Sequence, residues 1–134
     1  MRRCVQAVDF YVRHSGTGVP GMRHSVYRLT DGEWEDFKRS GEQVVSSRAL
    51  GETAADLADI VLLFRENGRE APASWTEAVR ESADFFTGSL LPSGIYPAAW
   101  RVDGRPAEEQ ITAAGIPCLV ALAKAYRVTG RSGI

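Results

Sequence analysis

The residues able to do chemistry collect in two long connecting stretches. Glu33, Glu35, Asp36, Glu42 and Glu52 lie in or just beyond the first, and Asp103, Glu108 and Glu109 in the second. Trp34, Tyr96 and Trp100 are interleaved with them. Two carboxyls across a glycosidic bond can serve as acid and as base or nucleophile. Aromatic faces stack on the apolar faces of sugar rings, and Arg pairs with carboxylates or acidic substrate groups. The candidates are therefore Glu52, Asp103 and Glu109 for acid–base work, with Trp34, Arg48, Tyr96 and Trp100 for substrate binding. Each has an ordinary structural reading beside this one. Asp103 sits in VDGRP, where Asp-Gly is common turn chemistry, and Glu108 and Glu109 suit a helix N-terminus. Tyr96 and Trp100 can simply staple their loop to the helices. His14 and His24 can act as bases or ligands, but isolated surface histidines are the commoner case.

No metal or organic cofactor is implied. With no C-x-x-C or C-H spacing, a tetrahedral metal site would need both cysteines and both histidines to converge. Cys4 and Cys118 each fall in an apolar helical pattern and read as buried thiols rather than a disulfide. A formal net charge of -1 gives no electrostatic reason to expect nucleic acid or an anionic membrane as partner. No apolar run reaches the roughly 18 residues of a membrane span. Asp9 and Arg13 interrupt the apolar N-terminal stretch, so it is not a secretion signal, and a cytoplasmic location is the expectation. A chain of 134 residues with 44% apolar content is one domain's worth of sequence with enough for a sizeable core.

The elements that must position these groups are helices. Leu57 to Phe64 is apolar on nearly every face, which belongs in an interior; this helix is expected from about Glu52 to Arg65 and stops at Asn67-Gly68. Pro117 to Arg131 repeats its design about 62 residues later: Leu119 echoes Leu57, Leu122 echoes Ile60, Tyr126 echoes Phe64 and Gly130 echoes Gly68. Pro117 suits the first position of that helix. Two amphipathic helices accompany the apolar pair. Arg2 to Arg13 carries Cys4, Ala7, Val8 and Tyr11 on one stripe. A second follows a Ser74–Glu77 capping box and carries Trp75, Val79, Phe86 and Leu90. Asp31-Gly32 predicts a short β-hairpin, Lys38 to Ser47 reads as polar and irregular, and Ala107 to Ala114 as a helical turn or two. The order amphipathic, buried, amphipathic, buried implies two layers of antiparallel helices. Parity then puts both long loops, His14 to Arg48 and Leu91 to Ile116, at one end, with the short Asn67–Ala73 connection at the other. Long loops commonly carry function, so the end bearing them is the expected functional face.

ADFF followed by LPSGIYPAAW (Ala83 to Trp100), the VDGRP of Val102 to Pro106, and the helix-to-glycine endings at Phe64–Gly68 and Tyr126–Gly130 resemble the (α/α) toroid, or six-hairpin glycosidase-like, superfamily. The likeness covers about Ala49 to Arg131 and extends more loosely before it. It implies an all-α fold of antiparallel helical hairpins with a small β-hairpin in a long loop. Residues 1–134 would form a single segment of about two hairpins, where a full toroid has about six, and both ends of the chain read as cut. It further implies a glycoside hydrolase-like, carbohydrate-active protein whose carboxylates act at the N-terminal ends of the inner helices. In such a segment, exposed inner-helix faces would drive self-association. Two rivals remain: a non-catalytic helical-repeat binding module, and a terpenoid cyclase-like toroid. For the latter, Asp31-Gly32-Glu33-Trp34 matches the end of a Q-x-x-D-G-x-W repeat, with Arg28 where Gln is wanted.

Overall fold

The structure, a computed structural model, describes residues 2–107 and 115–130. Among these, four helices run in the order expected: α1 (Arg2–His14), α2 (Ser47–Glu66), α3 (Ala73–Gly88) and α4 (Ile116–Thr129). Short strands occupy the long loops: β1 (Tyr27–Arg28), β2 (Glu33–Trp34), β3 (Lys38–Arg39), β4 (Glu42–Ser46) and β5 (Ala99–Arg101). The fold is therefore mostly helical with small antiparallel sheets, rather than all-α.

The two apolar helices are neighbours and run parallel. A Cβ added at Gly51 would stand 2.5 Å from the Cys118 backbone nitrogen, so the two backbones nearly touch at their N-terminal ends. One turn or two further on, Lys124 Nζ donates to Asp59 Oδ2 at 2.6 Å, and near the C-terminal ends Arg65 Nη1 donates to the Val128 carbonyl at 2.6 Å. Helix α3 returns against both of them in the opposite sense. Trp75 in its first turn meets Phe64 near the end of α2 at 5.6 Å between ring centroids, while Phe85 and Phe86 in its last turns pack on Trp100. Helix α1 lies along the other flank of α2, where Ala7, Val8 and Tyr11 face Thr53, Leu57 and Ile60 across a shallow cleft. The Trp75 indole Nε1 donates to Asp9 Oδ1 at 2.9 Å and fastens α3 to α1.

Both long loops leave from the same pole. β4 pairs antiparallel with β5, Val45 opposite Trp100, and the Ser47 N–H donates to the Ala98 carbonyl at 2.9 Å. The first loop and the second are thus one structure, as the parity of the helices required. The Asp31-Gly32 hairpin also forms, with Tyr27 opposite Trp34 and Gly32 in the left-handed region at φ 72°.

Several expectations need correction. Lys38 to Ser47 is not irregular: β3 and β4 form a tight hairpin turned at Ser40-Gly41, both at positive φ, as a two-residue turn between twisted strands demands. Helix α2 starts at Ser47, not near Glu52, because Ser46 is its N-cap and its hydroxyl accepts from the Ala49 N–H at 3.3 Å. The Ser74–Glu77 capping box is not made. Helix α3 starts at Ala73 behind Pro72 with no side-chain cap, and Glu77 is held by Arg80. Leu90 lies beyond the end of α3 and is exposed. The echo between the apolar helices holds in punctuation, since Gly68 and Gly130 are both left-handed stops, but not in burial. Leu57 is 4% exposed and its counterpart Leu119 is 54% exposed. Among the described residues helix α4 has α2 and α3 as its helical neighbours, both toward its buried side, so it is not buried all round. Of the two cysteines, Cys118 is buried and free, its Sγ donating to the Ser47 carbonyl at 3.3 Å, whereas Cys4 is free and exposed on α1.

Candidate functional site

At the pole where the loops meet, the N-terminal ends of α2 and α4 enclose an open groove of about 330 Å³ lined by Glu52, Ala55, Asp56, Ile116, Pro117 and Val120. Gly51 is what brings the two helices this close beside it, since any side chain there would meet Pro117 and Cys118. Glu52 sits on the groove rim, six residues into α2, and accepts from Arg48 Nε at 3.0 Å. Both partners are more than half exposed, so the pair holds its geometry loosely and contributes between nothing and about 1 kcal/mol. Asp56 follows one helical turn later on the same face. Asp59 continues the acidic row but is engaged by Lys124. The sequence candidates Glu52 and Arg48 are thus together at the groove. Asp56 was missed, although its spacing of four from Glu52 announces a shared helix face.

The other candidates lie elsewhere. Asp103 is at the tip of a turn that reverses β5. Its Oδ1 accepts from the Arg105 N–H at 3.0 Å, and its Oδ2 from Arg105 Nε at 2.8 Å. The Arg105 backbone N–H and guanidinium hold this carboxyl below the usual carboxylate range. That is turn chemistry, and no hydrogen bond or ion pair joins Asp103 to Glu52 among the described residues. Tyr96 and Trp100 are core residues. Trp100 is fully buried among Phe85, Phe86 and Tyr96, and the Tyr96 hydroxyl donates to the Phe86 carbonyl at 2.8 Å. Burial pushes the Tyr96 phenol up to about 12. Neither ring offers a face to a ligand, because each is needed to fix the second loop on α3. Glu109 lies outside the described residues, as does most of the Ala107–Ala114 turn.

Trp34 has a different setting. It is half-buried on β2, near-parallel to His24 at 6.0 Å and to Phe10 at 6.2 Å, with Tyr27 tilted against it at 4.9 Å. Beneath it His24 Nδ1 donates to Asp36 Oδ2 at 2.5 Å. The Asp36 side chain is wholly buried, and its Oδ1 accepts from the Ser25 N–H at 2.7 Å and from the Ser25 hydroxyl at 2.9 Å. The contact fixes the orientation of the His24 ring, with its Nδ1 edge turned to the Asp36 carboxyl. The register of the hairpin contains the signal for this pair: with Tyr27 opposite Trp34, carrying the ladder two residues outward sets Ser25 opposite Asp36. His14 is a separate group, packed by its ring on Phe10 at 5.0 Å.

Among the described residues, no group of three or more His, Cys, Asp or Glu is placed to hold a metal ion, and no helix is long and apolar enough to cross a membrane. No protein-family model, curated protein or solved structure matches this chain.

Proposed function

We propose that these helical hairpins belong to an (α/α) toroid and that the loop-bearing pole processes glycosides, with Glu52 as the acid–base carboxylate. The observation that supports this reading most is the position of Glu52. It stands open at a groove between the N-terminal ends of two parallel helices, on the pole where both long loops are joined. Asp56 supplies the second carboxyl on that groove, and Arg48 pairs with Glu52 at its rim. Ile116, Pro117 and Val120 give the apolar floor that a sugar ring's face would meet. Trp34, whose faces are engaged by its own neighbours, contributes to the pole's framework instead.

The reading is tested by titrating the chain with an oligosaccharide panel while following backbone amide resonances. Shifts confined to residues 48–56 and 115–120, diminished in Glu52→Gln, are expected. No shift with any member of the panel would remove the proposal. The second reading, a non-catalytic helical binding module, draws on the open apolar flank of α4. It would be favoured if amphipathic peptides shifted those resonances and saccharides did not.

A further inference from the structure

Helix α2 has α1 against one flank and α4 against the other, but α4 has a flank with none of the described helices or strands on it. Residues 116, 119, 120, 123, 126 and 127 are all exposed, and at about 100° per residue they fall within an arc of about 120°. Ile116, Leu119, Val120 and Tyr126 are each between 42% and 56% exposed. Single apolar residues on a surface are ordinary, whereas a continuous helical strip of them marks an interaction site.

The charges beside this strip say what covers it. Asp56 on α2 borders the strip toward its N-terminal end, and Arg127 on α4 lies toward its C-terminal end. Both are exposed, and neither has an ion-pair or hydrogen-bond partner among the described residues. The level of Gly51 with Cys118 and of Asp59 with Lys124 sets Asp56 between one and two turns before Arg127 along the shared axis direction. Ala123, small and exposed, lies between them. Lys124, next to it, is already occupied by Asp59 of its own chain.

We propose that a second copy of this chain covers the strip in an antiparallel two-fold arrangement centred between Ala123 and Tyr126. In that arrangement Asp56 of each copy meets Arg127 of the other, and Tyr126 packs into the gap left by the opposing Ala123. A parallel apposition would set Asp56 level with Asp56 and Arg127 level with Arg127, so that neither charge meets its opposite. The two-fold arrangement alone makes this surface self-complementary, which is what an isologous contact requires. The inference does not rest on the glycoside reading.

Sedimentation equilibrium of the full chain over a wide concentration range tests it. A monomer–dimer equilibrium is expected. Arg127→Glu and Asp56→Lys should each weaken the dimer about tenfold, because each reversal alters two symmetry-related pairs. The double variant should restore it, and Leu119→Glu should abolish it. All three positions are exposed, and circular dichroism melts would verify that each variant is folded. In a Cys4→Ser background, Ala123→Cys should cross-link the two copies under oxidation. A monomer at all concentrations, an assembly larger than a dimer, a dimer indifferent to Leu119→Glu, or a double variant weaker than both singles would each overturn the proposal.

Discussion

The sharpest consequence of the parallel α2–α4 contact concerns Gly51. In a helix interior, replacing Gly with Ala normally stabilises by about 1 kcal/mol, because Ala has less backbone entropy to lose. At Gly51 the added methyl would lie 2.5 Å from the Cys118 nitrogen, 2.6 Å from the Pro117 carbonyl carbon and 2.9 Å from Pro117 Cβ. These are backbone and ring atoms, which cannot swing aside as the end of a long side chain would. Relief requires the two helices to separate at their N-terminal ends, which also stretches the Cys118 Sγ bond to the Ser47 carbonyl. Overpacking of this kind costs about 1–3 kcal/mol or more. The clash wins, and Gly51→Ala is expected to destabilise by about 2 kcal/mol net, lowering Tm by roughly 8 °C at this chain length. Gly88→Ala is the control. It sits in the last turn of α3 with nothing within 4 Å of the added carbon, so its effect should be neutral or slightly stabilising. Thermal melts and urea titrations of both variants decide the matter. A Gly51→Ala protein as stable as the parent, or more so, would show that helix propensity rules there and that the two backbones are not in contact.

Asp9→Ala should cost about 1–3 kcal/mol although Asp9 is only partly buried, because it leaves the Trp75 indole N–H buried without a partner; Asp9→Asn should recover most of the loss. Asp36→Ala removes three acceptor contacts at once and should loosen the β1–β2 hairpin without unfolding the helices. A changed near-ultraviolet signal from Trp34 with unchanged far-ultraviolet helicity is the expected record; an unchanged Trp34 signal would refute the role given to Asp36. Burial raises the Cys118 thiol from 9.0 to about 12, so the unfolded chain sheds this proton first and binds fewer protons than the folded one above pH 9. The contribution of Cys118 to stability should therefore be complete below pH 9 and fall by up to about 1.4 kcal/mol per pH unit between 9 and 12, with the raised phenols of Tyr11 and Tyr96 adding to the fall above pH 10. Urea midpoints that stay flat over this range in the parent, or that fall equally in Cys118→Ala, would contradict the assignment.

Much of the helical framework was legible because it is written in periodic apolar residues. The stripe Trp75, Val79, Phe86 is buried as its spacing demands, and the parity of four helices was enough to bring both long loops to one pole. What escaped was set by partners distant in sequence. Val44 and Val45 make a two-residue apolar run too short to mark a strand, and they become one because Trp100 lies opposite, more than fifty residues away. The Ser40-Gly41 turn was readable as such, but with only two residues on β3 it carries little periodicity. Leu119 and Leu57 look alike locally, and only the number of neighbouring helices makes one open and the other closed. At the candidate site the same division holds. Glu52 and Asp56 share a face by local geometry, which a sequence can show. For Trp100 and Tyr96 the sequence leaves a ligand platform and a loop staple side by side, and the loop's folding back onto the helices spends both rings on the core.

The groove and the open strip of α4 are not independent surfaces, and this constrains what the chain can do. Ile116, Val120 and Asp56 belong to both. A saccharide seated against Val120 and Asp56 would occupy the space that the second copy's Arg127 needs. The two events should therefore exclude one another, and reciprocity requires each to weaken the other by the same factor. Saccharide should shift the sedimentation equilibrium toward monomer, and diluting the protein should raise its apparent affinity for saccharide. Dimerisation that is indifferent to bound saccharide would mean that one of the two assignments uses a different face. Leu119→Glu then tells which: Leu119 does not line the groove, so this variant removes the dimer contact while leaving the groove lining intact. Saccharide shifts at residues 48–56 that persist in the variant would keep Glu52 as the site, and their loss would place the sugar on the α4 strip instead.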